Sequence, residues 1–499
     1  MRKTCGALIL LLLAASAAQP ASVPSKRSGV LTSAVATAAP GRKLLAWVYF
    51  TDKGAAGAQA APGARVMVPL SARALARRAA RGRISGASVE DLPLVSAYVD
   101  GVAAGVARVR QRSRWLNAVS VEATPAQLDA LEKMPFVARL DLVRAFRRGA
   151  PEPVQAEPSL SARAAAAGRS PAGVSVMALD YGLSLSQLTQ INVPAVHEMG
   201  FHGEGVVVAV LDAGFSDLNH EVFSGLHILA QHDFVNGDDD VADGRDQGEG
   251  SHGTMTLSTL GGFQSGRLIG PAYAADFILA KTENTDSETP LEEDNWAAAA
   301  EWAESLGADV ISSSLGYSDF DAGFRDYGPA ALDGRTAVST KAAEMAAERG
   351  VVVVNSAGNQ GFDATHNTLG APADGAHVLA IAAVDASGKR AQFSSVGPSA
   401  DGRPKPDLAA RGVSVWVAFP GTVNGYATAN GTSFSCPLTA GVVALLLQIN
   451  PAATPDDVAG VLRSTASQAS RVDNLLGWGI VDAGAAARAW TPALSPGSR

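Results

Sequence analysis

Cysteine is nearly missing from this 499-residue chain: there are two, Cys5 and Cys436. Cys5 lies in the leader-like first residues, so Cys436 stands alone beyond them. No intramolecular disulfide can staple the rest of the chain, whose stability must rest on its core. A zinc site of the cysteine type is excluded for the same reason. Past the N-terminus no stretch reaches the roughly 18 uninterrupted apolar residues that a membrane helix needs. No G-x-S-x-G occurs, which excludes a lipase-type nucleophile elbow. No repeat of roughly 20–50 residues is visible. What the chain does have is core-forming material: 47% apolar residues against 18% charged, a globular composition.

The opening MRKTCGALILLLLAASAAQ has a basic start, a short apolar run and small residues at Ala15, Ala17 and Ala18. That pattern predicts a secretory signal over residues 1–18, too short to span a membrane, and a product outside the cell or in the periplasm without a membrane anchor. Residues 19–42 are rich in Ala, Ser and Pro and are expected to lack structure. The net charge of −8 hides an asymmetry. Residues 1–165 hold 23 Lys+Arg and 10 Asp+Glu, giving +13; residues 166–499 hold 17 and 38, giving −21. A basic half can signal nucleic acid. The reading taken instead is that the basic half docks on the acidic half of the same chain, with no nucleic-acid partner.

KLLAWVYFTD (43–52) reads as a strand and SARALARRAARGR (71–83) as a basic helix. Residues 94–110 and 116–123 read as strands. TPAQLDALEKM (124–134) reads as a helix with Thr124 as N-cap and Pro125 in its first turn, and 137–146 as a closing strand. This order predicts a small split-βαβ unit over 43–148. Residues 149–178 form a Pro/Ala/Ser linker, a natural boundary and nicking site. Beyond it, short β-branched strands (205–212, 275–282, 308–316, 350–359, 377–385) alternate with helical segments such as 294–307 and 339–350. This is an α/β pattern: a parallel sheet flanked by helices on both faces over 179–490, with its chemistry at the C-terminal strand ends, and then a tail of 491–499.

Four residues stand at such places. Asp212 ends VVVAVLD, His252 opens a helical run in SHGTMTLS, Asn359 sits in NSAGNQG, and Ser433 begins the helix of GTSFSCPLTAG. Taken singly, each has a bland explanation as a turn or cap residue. Together they form a set: a carboxylate to orient an imidazole, an imidazole to take a hydroxyl proton, and an amide to face an oxyanion. A hydroxyl is a poor nucleophile without its base, so the set needs all of its acting groups.

These motifs, in the order Asp, His, Asn, Ser, resemble those of the subtilisin-like serine peptidases (subtilases). SSSLG (312–316) resembles the strand lining the family's peptide cleft, and residues 43–148 more weakly resemble its inhibitory prosegment. The resemblance implies an exported serine endopeptidase made as a zymogen, with Asp212, His252 and Ser433 as triad and Asn359 in the oxyanion hole. Ser314, Leu315 and Gly316 are then expected to pair with polypeptide substrate, and the prosegment to act as intramolecular inhibitor of a monomer. Departures are Ala213 after the Asp, Met255 after the His, and Arg411 where Pro is frequent. No cofactor is implied for the chemistry. Calcium is common in the family as a structural ion, but the Asp-rich loop 236–246 fails the EF-hand spacing, reads more readily as a solvated loop, and leaves the metal ligands unknown. GEGSHG (248–253) matches a dinucleotide fingerprint only formally, since acidic residues rather than a strand precede it. An inactive subtilase-like binding scaffold is the alternative, and it needs a broken constellation.

Overall fold

The computed structural model describes residues 25–54, 68–143, 155–156, 179–242, 251–284, 292–317 and 327–491. The expected signal, most of the linker, the second half of the acidic loop and the tail beyond residue 491 lie outside the described residues.

The N-terminal unit contains α1 (Gly29–Thr37), β1 (Leu44–Phe50), α2 (Ala72–Arg81), α3 (Ser96–Ala103), β2 (Arg108–Ser113), β3 (Ala118–Ala123), α4 (Pro125–Glu132) and β4 (Val137–Leu142). Its strands form one antiparallel sheet in the order β2-β3-β1-β4, the split-βαβ arrangement expected. Val48, Val119, Val121 and Leu140 face α3 and α4 through Val99, Val102, Leu128 and Leu131. As read from the sequence, Thr124 caps α4, its hydroxyl accepting from Gln127 N.

Two expectations fail here. Within the stretch 94–110, Ser96–Ala103 is helical rather than a strand; Val99 and Val102, three apart, bury one helical face on the sheet. Part of the stretch 19–42 is ordered. Ser28 caps α1, and Leu31 is fully buried in the unit's core. Arg27 pairs there with Glu132 at 3.0 Å and with Asp129.

Backbone 155–156 (β5) pairs antiparallel with residues 427–428. The large unit then runs β6 (Val207–Asp212), β7 (His227–Asp233), α5 (Ser251–Gly261), β8 (Asp276–Lys281), α6 (Glu292–Leu306), β9 (Val310–Ser313), α7 (Val338–Glu348), β10 (Val352–Ser356), β11 (Val378–Val384), β12 (Leu408–Arg411), β13 (Val415–Ala418), β14 (Tyr426–Ala429) and α8 (Thr432–Ile449). Seven strands form a parallel sheet in the order β12-β11-β10-β9-β6-β8-β7.

All six residues of β6 are buried, as a sheet covered on both faces requires. Val208 and Val210 face α5 and α8, whereas Val207, Ala209 and Leu211 face α6 and α7. Trp47, Trp115, Ala118 and Val143 of the N-terminal unit join this second core. The small sheet thus lies over α6 and α7, with its other face on its own helices. α8 is long and apolar enough to cross a membrane, but 89% of its most apolar window is buried in the core.

Candidate active site

Asp212 closes β6, fully buried. One carboxylate oxygen accepts from Ala213 N at 2.7 Å and lies 2.5 Å from His252 Nδ1; the other accepts from Thr256 Oγ1 at 2.9 Å. Opposite a carboxylate, Nδ1 carries the proton, so the neutral ring presents Nε2 as its basic nitrogen. His252 and Thr256 are four apart on α5, hence on one helical face. Gly253 makes the approach feasible: a Cβ there would collide with Gly214 O. Thr256 was not singled out in the sequence, although its spacing from His252 was a usable signal. Met255 packs with Val415, Val417, Ala427 and Phe434.

Ser433 is the second residue of α8, behind Gly431, whose φ of 141° suits glycine. Its Oγ donates to Ser314 O at a long 3.3 Å, while Ser314 Oγ donates to Ser433 O at 2.8 Å. Pro437 explains the second bond. Four residues on, it has no N–H to give the Ser433 carbonyl, so the strand end supplies the donor. Nearby, Phe434 packs against the His252 ring at a centroid distance of 6.0 Å.

Asn359 Oδ1 accepts from Thr432 N at 2.9 Å and Thr432 Oγ1 at 2.8 Å. Its oxygen is thus engaged, and Asn359 itself is exposed. The Asn359 loop is therefore fastened to the first residue of α8, immediately before Ser433.

Beyond β9, Leu315 O accepts from Asn355 Nδ2 at 2.8 Å and Ser356 Oγ at 3.3 Å. Carbonyls alternate along an extended chain, so those of Ser314 and Gly316 point the other way. Gly316 is exposed, and Tyr317 bridges to Ala371 through bonds of 3.0 and 3.3 Å.

Ser435 Oγ donates to Thr432 O at 2.9 Å within the helix. Cys436 is wholly buried, with Sγ 3.4 Å from both Ser313 O and Val354 O, and burial pushes its thiol up to about 12. A thiol so protonated and enclosed is inert. In the Asp-rich loop, Asp238 and Asp240 accept from the backbone of Asp240 and Ala242, and Asp239 pairs with His232. Among the described residues, no three His, Cys, Asp or Glu gather as metal ligands.

A family model described as the subtilase family matches residues 203–479, more than half of the chain. A second, described as the peptidase S8 propeptide domain of Bacteroidota, matches residues 45–159. The chain is 32% identical to subtilisin BL of Lederbergia lenta over 301 residues, covering 60% of this chain and 97% of the relative. It is 33% identical to subtilisin E of Bacillus subtilis over 289 residues, 58% of this chain and 66% of the relative. Fervidolysin of Fervidobacterium pennivorans, solved as a keratinolytic enzyme related to subtilisin, shares the fold: TM-score 0.60, 21% identity, 89% of this chain and 61% of that one. The chain belongs to the subtilase family. It is a serine-type endopeptidase preceded by a propeptide domain, which acts on peptide substrates and carries its own intramolecular inhibitor.

Proposed function

We propose that Asp212, His252 and Ser433 are the catalytic triad of a secreted, monomeric zymogen, and that Asn359 is its oxyanion donor. The observation that carries this reading is the 2.5 Å contact between Asp212 and His252 Nδ1, with Thr432 holding Asn359 beside Ser433.

The hydroxyl of Ser433 leaves its long bond to Ser314 O and gives its proton to His252 Nε2 as Oγ bonds to the scissile carbonyl carbon. The resulting oxyanion takes hydrogen bonds from Asn359 Nδ2 and from Ser433 N–H, which lies in the first turn of α8, where a helix has no internal acceptor. His252 passes the proton to the departing amine, leaving an ester on Ser433. Water then repeats the sequence, with His252 again as base and then acid. Asp212 stays ionised, stabilises the imidazolium and fixes the tautomer. Freed of the Ser433 hydroxyl, Ser314 O accepts a substrate N–H, and Gly316 pairs one step along by strand addition. These side chains meet every proton and charge change, so the reading calls on no cofactor for the chemistry.

Residues 1–18 are assigned as an export signal, with no membrane anchor and no nucleic-acid partner. The prosegment spans 43–148 together with the helix ahead of it, the joint is cut between 148 and 180, and the peptidase spans 179–490. The pairing of β5 with β14, just ahead of Ser433, supports passage of the joint close to the site. Ser433→Ala should lower kcat by a factor on the order of 10⁶ while the protein stays folded. Hydrolysis of a chromogenic peptide within tenfold of wild type would overturn the assignment.

A further inference from the structure

Helix α2 contributes almost nothing to the prosegment's own core: Ala74 is its one buried apolar residue. Its Arg77, Arg78 and Arg81 are nevertheless 5%, 0% and 5% exposed, because they are sunk into the peptidase unit. Glu304 pairs with both Arg77 and Arg78, and Asp309 with both Arg73 and Arg81. Arg77 also donates to Ala308 O at 2.5 Å and Arg349 O at 3.2 Å, and Arg73 to Gly307 O at 3.1 Å. These carbonyls lie at the C-terminal ends of α6 and α7, where helices leave acceptors unpaired and carry partial negative charge.

The chain turns out of both helices through glycines at positive φ, Gly307 at 103° and Gly350 at 85°. A Cβ on Gly307 would strike the Arg73 side chain, and one on Gly350 would come within 3.0 Å of Arg81 Cγ. The helix ends are therefore shaped for α2 as well as charged for it.

This socket is remote from the chemistry. Asp309 accepts from Val207 N at 2.9 Å, the start of β6, and Asp212 stands five residues further along that strand. At ~3.3 Å per residue the separation is roughly 17 Å.

We propose that Glu304, Asp309 and the C-ends of α6 and α7 form a second binding site, specific for an arginine-bearing helix. It retains the prosegment on the peptidase after the joint is cut, independently of the substrate cleft. The recognition is of guanidinium shape and not of bulk charge. Arg78 grips Glu304 through Nε and Nη2 and Asp91 through Nη1 and Nη2, a double fork that an ammonium cannot reproduce. The proposal rests on the reading that the prosegment inhibits the peptidase.

The test follows the full chain through cleavage of its joint. Gel filtration measures how long the cut prosegment co-elutes with the peptidase, and a short chromogenic peptide reports activity. Arg73→Gln with Arg81→Gln should shorten the dissociation half-time by about tenfold or more, and Arg77→Lys should shorten it severalfold although it keeps the charge. Arg83→Gln, which breaks an exposed pair with Asp456, should leave it unchanged. Final kcat/KM should be equal throughout, because the altered residues depart with the prosegment. If the double variant does not fold, Arg73→Gln alone, whose side chain is 41% exposed, should still shorten the half-time and leaves Arg77 and Arg78 in place. An unchanged half-time in the Arg73 variants, or equal loss in Arg83→Gln, would overturn the proposal. Full activity in the uncut wild-type chain would instead remove the inhibitory reading, and this one with it.

Discussion

Asn359 and Thr432 show how much of a site depends on one side chain holding another. The two bonds from Thr432 occupy the carboxamide oxygen, which leaves the nitrogen as the group proposed to meet the oxyanion. A donor preorganised in this way acts on the charge that develops in the transition state and little on the ground state. Asn359→Ala should therefore lower kcat by roughly 10²–10³, the size established in subtilisin itself for its oxyanion donor, with KM little changed. Steady-state kinetics on a peptide substrate reads this, and a near-wild-type kcat would exclude Asn359 from the role. Residues of this kind were legible in the sequence because their motifs are short and local. Thr256 was only half legible, since its spacing from His252 is visible but its bond to Asp212, 44 positions away, is not.

Among the elements, α5 carries His252, the proposed base, and sits close to the turn after β6. Gly253→Ala should push the two apart through the clash with Gly214 O. An ångström of displacement is enough to cost on the order of 10²-fold in rate. The expected result is a folded protein by circular dichroism with kcat/KM at least a hundredfold down; an unimpaired variant would show that this packing does not place His252.

The helix Val193–Glu198 gives a prediction of a different kind. His197 Nδ1 lies 2.8 Å from Tyr181 OH, and Nε2 lies 2.8 Å from Pro271 O. A hydroxyl donor on one nitrogen and a carbonyl acceptor on the other fix a neutral ring, and burial pulls its pKa down to about 4. The folded ring resists a proton that the unfolded ring accepts near pH ~6.5. Stability from this group is therefore constant above that pH and falls as the pH drops toward 4, by roughly 3 kcal/mol at most. Urea unfolding of wild type and His197→Asn at pH 7.5 and 4.5 checks the sign: wild type should lose more on acidification.

Element type was legible where periodicity was strong, as in β6 and α4, and failed where small residues blur it. Val95, Val99, Val102 and Val106 suggest a strand by composition, yet the structure places Val99 and Val102 on one buried face of α3. Helix α1 is short and, Gly29 and Leu31 apart, made of Ala, Ser, Thr and Val, and Leu31 alone anchors it fully.

Across the whole molecule, the charge asymmetry between the halves of the chain was visible at once, but its meaning was not. Sequence counts cannot tell a diffuse attraction from a socket. The pairs that decide the matter, such as Arg78 with Glu304, are 226 positions apart. Burying so many arginines is costly unless each finds partners, and here carboxylates and helix-end carbonyls supply most of them. The described prosegment holds no histidine, so its docking surface lacks the side chain that ordinarily titrates near neutrality. Hydrophobic docking of Trp47 and Trp115 over α6 and α7 completes the cover. At the opposite end of the sheet, β6, α5, α8 and the Asn359 loop carry the residues proposed to converge on the Ser433 hydroxyl.

Reaction of the mature enzyme with a fluorophosphonate probe, followed by mass-spectrometric mapping of the adduct, tests that convergence most directly. One adduct per molecule on Ser433, formed at least a thousandfold more slowly in His252→Ala, is the predicted result. An adduct on any other residue, or equal labelling in the His252 variant, would contradict it.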